Sequence, residues 1–428
     1  MSDLAERMRA RMERLYPICR SITGDGVRAT LAVLGETVPL QVRAVASGTP
    51  AYGWTVPEEW NVRAAWIRDV GQDGGNGAGR TVVDLADHTL HLVSYSVPFR
   101  GRLSRAELEP HLHTLPEHPD WIPYRTSYYT RDWGFCLSQR QYDALGDGPF
   151  EVCVDTTLAP GELTYGELVL PGETTEEILV TSHVCHPSLA NDNLAGLTVA
   201  VELAARLAEQ PRRHTFRFVF APGTIGAITW LAQSPDVWPR VRHGLVLTGL
   251  GGPGPLVYKR TRHGDRSVDR AAAHVVRTHG GELRDYSPYG YDERQFNALG
   301  FDIPAGRLSR TPHGEYPEYH TSADNLALVT DDHLVEALEA LQEIVDVLEH
   351  DATYTNLRPY GEPQLGSYGL YPTTGGRSAS EAVMAMLWTL AYADGATSLL
   401  AIADRAGLPF AAVRRAADDL LGAGLLGG

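Results

Sequence analysis

The sequence is poor in cysteine, and its cysteines are far apart. Four occur in 428 residues, with no CxxC pair among them: Cys19, Cys136, Cys153 and Cys185. Such sparse thiols exclude a disulfide framework and a zinc ribbon, because both need closely spaced sets of cysteines. They are typical of a protein that works in a reducing compartment.

The sequence also lacks a long apolar run. No segment approaches the roughly 18 consecutive apolar residues of a transmembrane helix, which predicts a protein with no membrane association. The first 20 residues, MSDLAERMRARMERLYPICR, carry charges throughout and contain no apolar core of a secretory signal. We therefore expect a helix at this end of the chain, and a cytoplasmic protein.

Basic residues are in deficit. The chain has 37 Lys and Arg against 53 Asp and Glu, which gives a formal net charge of −16. Because binding to nucleic-acid phosphates depends on clustered Lys and Arg, this balance disfavours a nucleic acid and favours a small-molecule or peptide-like substrate. The hydrophobic fraction of 43% is ordinary for a globular protein, and the length predicts two or three domains. Assembly into a homo-oligomer stays open.

Three patterns follow one another along the chain. Residues 41–155 contain short alternating runs between Gly, Pro and Asn clusters such as GQDGGNGAG, which predicts a β-rich module. From about 160 to 350, apolar strands alternate with amphipathic helices, which predicts an α/β domain with a mostly parallel sheet covered on both faces. Short helical segments over 378–428, after a linker rich in Pro, Gly and Tyr, are typical of a small winged helix.

One polar segment lies where a predicted strand ends and a helix begins. It reads TSHVCHPSLANDN over residues 181–193 and contains His183, His186 and Asp192. Imidazole and carboxylate donors together suit Zn²⁺, and sites in such sheets form beyond the carboxyl ends of the strands. The HxxH spacing alone is weak evidence, since two loop histidines with Asp192 as a helix N-cap would give the same pattern.

A second loop, GEYPEYHTSADN over residues 314–325, brings another histidine among carboxylates. His320 in this loop fits a metal ligand or a general acid, and equally a surface residue. Cys185 lies between the two earlier histidines, as a nucleophile would. A strand-end cysteine without a dedicated partner is more often simply packed, and we prefer that interpretation.

The order of these motifs resembles the zinc aminopeptidases of the M28 type, and more closely the bacterial aminopeptidase-like family DUF4910 with its DUF2172 insertion. The matching segments extend over essentially the whole chain: LYPICRSITGDGVRATL, SGTPAYGWTVPEEWNV, CHPSLANDNLAG, FAPGTIGA, YDERQFNALGFDIPAG and RTPHGEYPEYHTSADNL. The resemblance implies an M28-like domain over 1–40 and 156–355, a β-rich insertion over 41–155 and a winged helix over 375–428.

The resemblance also implies zinc as the cofactor, with specific ligands. His186 would be the first ligand, favoured over His183 because the CHP triplet matches the family. Asp192 would be the bridging carboxylate, and His320 the late histidine. Zinc at this position would activate water for the hydrolysis of an amide bond.

Further residues are implied around the substrate. Asp292 and Glu293 in YDERQF would be the catalytic carboxylates, which contact a substrate amine or supply a base. A solvated loop with a salt bridge to Arg294 would explain the same pair. Arg294 would otherwise contact the substrate, and the aromatic side chains of Trp54 and Trp133 in the insertion would wall the pocket.

The sequence departs from the M28 pattern at the remaining ligand positions. FAPGTIGA has Gly223-Thr224 where the superfamily has a pair of glutamates, and LVLTGLGG offers only Gly251-Gly252 where an aspartate ligand is expected. Gly53 replaces a commonly acidic residue of the insertion. Glycine can neither hold a metal nor move a proton, so the site would be short of ligands and of a base.

Three functions are therefore compared. The first is an aminopeptidase-like metal hydrolase, or a diverged descendant, that acts on the amide of a small amine-bearing or peptide-like substrate. The second is a degenerate homologue without zinc that binds or transforms a biosynthetic metabolite. The third is a DNA-binding regulator, which the tail disfavours because residues 376–428 contain four basic and five acidic side chains.

Overall fold

The structure, a computed structural model, describes residues 3–71, 79–370 and 380–428. Most of the predicted Gly-rich turn at 71–79 lies outside the described residues, as do residues 375–379 of the predicted winged-helix range. Contacts divide the chain into two units, residues 1–264 with 284–339 and residues 265–283 with 340–428. No helix among the described residues is both long and apolar enough to cross a membrane.

Strands and helices alternate along most of the chain. The strands are β1 (Gln41–Ala46), β2 (Pro50–Ala51), β3 (Trp54–Thr55), β4 (Glu59–Asp69), β5 (Arg80–Asp84), β6 (Phe99–Leu103), β7 (Leu112–His113), β8 (Phe135–Cys136), β9 (Phe150–Ala159), β10 (Glu162–Leu170), β11 (Glu177–His183), β12 (Thr215–Ala221), β13 (Val241–Leu247), β14 (Val257–Lys259), β15 (Glu282–Arg284), β16 (Ala305–Ser309), β17 (Thr353–Asn356), β18 (Asp394–Ser398) and β19 (Leu426–Gly427). The α-helices are α1 (Asp3–Leu15), α2 (Asp25–Gly35), α3 (Arg105–Leu108), α4 (Gln139–Asp143), α5 (Gly196–Ala208), α6 (Ile225–Gln233), α7 (Ser267–Thr278), α8 (Glu293–Phe296), α9 (Asp331–His350), α10 (Glu381–Tyr392), α11 (Leu399–Ala406) and α12 (Phe410–Gly422).

The first unit is built on a central sheet with the order β1-β10-β12-β11-β13-β16-β14. Strands β12, β11, β13 and β16 are parallel, whereas β1, β10 and β14 pair antiparallel at the flanks. The parallel strands are joined by crossovers, for example α5 between β11 and β12, because parallel neighbours need a long connection. All seven residues of β11 are buried, as in a strand covered on both faces. The predicted α/β class is confirmed, with a parallel core and antiparallel edges.

The β-rich region forms a separate sheet with the order β5-β4-β9-β6. Its core contains Trp60, Ile67, Phe135 and Val152, each at most 3% exposed. Strand β1 lies in the range predicted for the insertion, 41–155, yet it pairs with β10 in the central sheet. The hydrophobic alternation of β1 does not distinguish these two positions, because an edge strand of either sheet gives the same pattern.

A buried ion-pair network ties three strands of the central sheet together. The Arg217 guanidinium on β12 donates from Nε to Glu177 Oε2 at 2.6 Å and from Nη1 to Glu167 Oε1 at 2.7 Å. None of these three side chains is more than 10% exposed. Removing one partner of such a network leaves buried carboxylates without their main counter-charge.

We expect Arg217→Met to lower the free energy of unfolding by about 3–5 kcal/mol, the usual cost of breaking a buried pair. Urea denaturation followed by circular dichroism measures this change. Arg63→Met is the matched control, because Arg63 pairs with Asp155 while its side chain is 68% exposed. An exposed pair contributes little to stability, because water screens the two charges, so this substitution should change the free energy of unfolding much less. Equal effects of the two substitutions would contradict the stabilising role of the network.

The second unit contains a three-stranded sheet, β18-β17-β19, and the helices α10, α11 and α12. This is the composition expected of a winged helix. Strand β17 lies upstream of the predicted start at 375, since it pairs with both β18 and β19. Within the unit, His274 Nδ1 of α7 lies 2.8 Å from Asp404 Oδ1, and its Nε2 accepts the Phe410 N–H at 3.1 Å.

Candidate metal centre

The candidate site lies at the carboxyl end of the parallel core. Strand β11 ends at His183 itself, and the chain then forms a loop and an irregular turn over Ala190–Ala195 before α5 begins. Within the turn, Asp192 and Asn193 leave helical geometry, with φ values of −110° and −145°. This departure directs the Asp192 side chain to the end of β11, where it meets His183.

Asp192 is the centre of a cluster of three histidines. Its Oδ1 lies 2.9 Å from His183 Nε2 and 3.7 Å from His186 Nδ1, and its Oδ2 lies 3.0 Å from His320 Nε2. Asp192 is fully buried and His183 is 3% exposed. The two predicted ligands His186 and Asp192 therefore lie close together with His183, which is nearer to the carboxylate than His186 is. The predicted ligand His320 contacts the other carboxylate oxygen and is outside this group.

The donor set fits a zinc ion. One ligand atom from each of His183, His186 and Asp192 can be chosen so that all lie within 4.8 Å of one another. Around a tetrahedral zinc with bonds of about 2.0–2.2 Å, ligand atoms are about 3.3–3.6 Å apart. His186 Nδ1 is buried and has no hydrogen-bond partner among the described residues, which costs free energy unless an ion or water occupies the lone pair.

Electrostatics keep the centre anionic at Asp192 and neutral at His186. Burial alone would raise the pKa of Asp192, but the hydrogen bonds from His183 and His320 hold that pKa well below its usual range. Burial lowers the pKa of His186 to about 3, so its imidazole is neutral at pH 7 and its lone pair is available. A carboxylate anion and neutral imidazoles are the protonation states that bind a metal.

A second buried carboxylate fixes the turn that carries Asp192. Asp324 Oδ1 accepts the Asn191 N–H at 2.6 Å, and Asp324 Oδ2 accepts the Asp192 N–H at 3.0 Å. Its backbone carbonyl accepts the Ala190 N–H at 2.9 Å. Burial raises the pKa of Asp324 to about 7. The sequence contains this residue in the His320 loop, but nothing local indicates that it supports a turn 132 residues away.

The insertion holds the His320 loop in place. The Tyr124 N–H donates to the His320 carbonyl at 2.8 Å, and Ser322 exchanges hydrogen bonds with the backbone of Ile122 at 2.8 and 2.9 Å. The Tyr124 ring meets the His186 and His320 rings edge-on, with centroids 5.2 and 5.0 Å apart. Sequence reasoning missed Tyr124 as a residue of the site, because only the tertiary structure brings the two segments together.

Asp292 directly precedes α8, and its side chain contacts the turn between β12 and α6. Its Oδ1 accepts the Thr224 N–H at 2.6 Å, and Thr224 has a φ of 61°, in the left-handed region. Arg294 donates from Nη2 to Thr224 Oγ1 at 3.1 Å, so it supports this turn. Burial raises the pKa of Asp292 to about 6. A carboxylate therefore lies beside the position where the M28 pattern has glutamates.

Glu293 faces away from that turn. It is fully buried, with Oε1 3.0 Å from Lys259 Nζ and 3.6 Å from Arg307 Nη1. Cys185 is also buried, and burial raises the pKa of its thiol to about 12, so it is not an activated nucleophile. The Gly223 N–H donates to Cys185 Sγ at 3.2 Å, which agrees with a packed, structural cysteine.

The two tryptophans that are predicted to line the substrate pocket contact other residues of the insertion instead. Trp133 is stacked between Phe99 and His111, with ring centroids at 4.2 and 3.8 Å, in the core of the insertion. Both faces of its indole are covered, so it cannot wall a substrate pocket. Trp54 is 38% exposed and contacts Tyr129 at 5.8 Å.

Two tyrosines from outside the insertion line the centre instead. Tyr291 stacks on His183 at 5.2 Å, and Tyr319 stacks on His320 at 3.9 Å. Each lies directly beside a polar residue that the motifs had selected, Asp292 or His320. The position of each tyrosine next to a motif residue is therefore the sequence signal that could have identified it.

The positions where glycine stands in place of an expected carboxylate differ in the space available for a side chain. A Cβ added at Gly223 would lie 3.5 Å from Cys185 Sγ and 3.7 Å from His183 Cβ, which are ordinary contacts. At Gly251 it would lie 2.3 Å from Val329 Cγ1, so no side chain fits. The N–H groups of Gly251 and Gly252 donate to Asn191 Oδ1 at 3.0 and 2.8 Å.

Comparison with known proteins agrees with this architecture. A profile of the family described as domain of unknown function DUF4910 matches residues 9–351, and a winged helix-turn-helix profile, HTH_47, matches residues 352–428. A Clostridium acetobutylicum protein is 43% identical over 412 residues, which cover 96% of this chain and 93% of the relative. Its name describes a candidate polysaccharide biosynthesis protein with an aminopeptidase-like domain.

Solved structures match over similar lengths. The crystal structure of a candidate peptidase from Clostridium acetobutylicum has a TM-score of 0.92 at 41% identity and covers 99% of this chain and 96% of its own. BSAP, a zinc aminopeptidase from Bacillus subtilis, has a TM-score of 0.55 at 13% identity, over 80% of this chain and 94% of its own. An M28 peptidase precursor from Shewanella amazonensis has a TM-score of 0.54 at 12% identity, over 81% and 95%. The predicted M28-like fold and winged helix are confirmed.

Proposed function

This chain belongs to the DUF4910 family, and we propose that within it the chain is a zinc-dependent, aminopeptidase-like hydrolase. Its substrate would be the amide of a small amine-bearing or peptide-like molecule. The observation that carries the proposal is the buried cluster of His183, His186 and Asp192, with His320 on the second carboxylate oxygen. The unpartnered His186 Nδ1 supports a bound ion in particular.

Three of these residues would hold the metal, and the fourth would orient the carboxylate. His183, His186 and Asp192 supply three ligand atoms, the number found in catalytic rather than structural zinc sites. Such an ion lowers the pKa of its water and polarises a carbonyl oxygen. His320, 3.0 Å from Asp192 Oδ2, fixes the carboxylate through a hydrogen bond.

Asp292 is the residue we propose as the proton acceptor. Its Oδ1 is engaged by the Thr224 N–H, and its Oδ2 would take the proton of the attacking water. A pKa of about 6, raised by burial, is close to the value that makes a carboxylate an effective base near neutral pH. Since Gly223 and Thr224 lack carboxylates, Asp292 would do alone what a glutamate beside it does in the M28 pattern.

Elemental analysis of protein purified without chelators tests the proposal. We expect about one zinc ion per chain, and hydrolysis of amino acyl p-nitroanilides that a chelator abolishes and zinc restores. His183→Ala and His186→Ala should each remove the metal, because a site of three ligands loses one. His263→Ala is the control, since His263 is an exposed histidine 2.9 Å from an Asp302 oxygen. Undiminished zinc in His186→Ala would refute its role as a ligand.

The missing carboxylates favour a second candidate, a non-hydrolytic homologue that binds a biosynthetic metabolite without zinc. The name of the Clostridium acetobutylicum relative, a candidate polysaccharide biosynthesis protein, is compatible with that role. Absence of zinc and of amide hydrolysis in the same preparation would establish this candidate over the first.

A further inference from the structure

A basic cavity lies beside the candidate metal centre. It has a volume of about 360 Å³, and its lining includes Lys259, Arg307, His313 and Tyr319. This volume is enough for a small-molecule group. Tyr319 forms a wall common to the cavity and the centre, because its ring also stacks on His320 at 3.9 Å.

The cavity contains buried positive charge in excess. Lys259 and Arg307 are each 3% exposed, and the fully buried Glu293 lies between them, 3.0 Å from Lys259 Nζ and 3.6 Å from Arg307 Nη1. One carboxylate cannot neutralise two cations, so this trio keeps one positive charge. Arg284 at the rim is paired with Glu315 at 2.9 Å and adds no net charge. Asp285, the other acidic residue of the lining, is exposed to solvent and lies 3.8 Å from Arg260 Nε, so it does not neutralise the buried trio.

Two basic side chains of the cavity also have hydrogen-bond donors without a partner among the described residues. Arg307 Nε is buried without a partner among the described residues, and a buried guanidinium is costly unless its hydrogens are bonded. Arg307 Nη1 lies 3.2 Å from His313 Nδ1. Because the guanidinium only donates, Nδ1 accepts, and the neutral imidazole carries its hydrogen on Nε2. Lys259 Nζ donates to the Tyr289 carbonyl at 2.7 Å and to Glu293, which uses two of its three hydrogens.

We propose that this cavity binds a carboxylate of the substrate, so that the protein acts on amides whose amine-bearing part carries an acidic group. A carboxylate brings one negative charge, which matches the one unneutralised cation. A phosphate would bring nearly two charges close to Glu293 and Glu315. The binding of a carboxylate in this cavity does not depend on the proposed function. The inference that the carboxylate belongs to the substrate rests on that function.

Isothermal titration calorimetry with the α-amides of L-glutamate and of L-glutamine tests the binding step in zinc-free and zinc-loaded protein, because the α-amide removes the second carboxylate and only the side chain then differs. We expect the L-glutamate α-amide to bind at least tenfold more tightly than the L-glutamine α-amide in both forms. Lys259→Met should remove that preference, because only Arg307 would then remain to balance Glu293. Glu293→Gln should instead tighten binding of the L-glutamate α-amide, a gain that misfolding cannot produce.

The control and the contrary results are specific. Arg242→Gln removes one positive charge from an exposed pair with Glu176 at the opposite end of β13, and it should leave the affinity for the L-glutamate α-amide unchanged. Equal affinity for the L-glutamine α-amide, preference for inorganic phosphate, or weaker binding in Glu293→Gln would overturn the proposal. Binding of the L-glutamate α-amide without hydrolysis of any p-nitroanilide would sink the proposed function alone. If both hold, glutamyl p-nitroanilide should be hydrolysed faster than the glutaminyl compound.

Discussion

Replacing Asp192 with asparagine is expected to remove zinc from the protein and to reduce amide hydrolysis by more than about 100-fold. Asp192 is the carboxylate that all three histidines of the cluster face, at 2.9, 3.7 and 3.0 Å. An amide oxygen has no negative charge to offer a cation, and even residues that only orient ligands cost about 10–100-fold when they are changed. Elemental analysis and p-nitroanilide kinetics on one preparation measure both effects.

Asp292→Asn is the matched comparison. Asp292 is another buried aspartate at the same end of the sheet, and the substitution replaces the same carboxylate oxygen by an amide nitrogen. It should keep the zinc stoichiometry while it lowers kcat by about 10²–10⁴-fold, the usual contribution of a general base. Metal binding and proton transfer would thereby be assigned to different residues. If Asp192→Asn retained its zinc, the metal centre would have to be sought elsewhere.

The order and class of elements in the first unit could be predicted from periodicity. The segment EILVTSH contains the apolar run at residues 178–180 before its polar end and forms the wholly buried strand β11, with His183 at its end. Candidate ligands at a strand end therefore follow from local pattern, because the carboxyl ends of parallel strands share one edge of the sheet. His183 and Asp192 are nine residues apart, a separation that a loop and one turn can close.

Contacts between distant segments could not be predicted in this way. The bonds between Ile122 and Ser322 join residues 200 apart, and no hydrophobic pattern encodes which loop covers which site. The inclusion of His320 came from the resemblance to M28 enzymes rather than from spacing. The choice between His183 and His186 was likewise open, because the HxxH spacing carries no information about the orientation of either ring.

Aromatic residues were the least predictable, because packing and binding use the same side chains. Trp133 is covered on both faces by Phe99 and His111. Tyr124, from the same insertion, instead contacts the His186 and His320 rings of the centre. Both residues lie in one aromatic-rich stretch of sequence. Only the fold assigns them to different environments.

In the Asp292→Asn variant, Gly223→Glu is expected to raise the rate of amide hydrolysis by about 10²–10⁴-fold, since it would return a base to the position where the M28 pattern has one once Asp292 no longer supplies it. The backbone allows it: Gly223 is outside the left-handed region, and its Cβ would meet Cys185 and His183 at 3.5 and 3.7 Å. Gly251 offers no such opportunity, because Val329 occupies the space. A carboxylate can thus be reintroduced at position 223 but not at position 251.

Gly223→Gln is the control for this substitution, because it adds nearly the same volume without a charge or a basic oxygen. The two variants should have similar melting temperatures, so a difference in rate between them reports the carboxylate itself. We measure kcat with saturating p-nitroanilide and with zinc in slight excess. Equal rates for the two variants in the Asp292→Asn background would mean that a carboxylate at position 223 does not reach the attacking water, or that the centre does not hydrolyse amides. The protein with Asp292 intact separates these outcomes, because its kcat exceeds that of Asp292→Asn only in the first case.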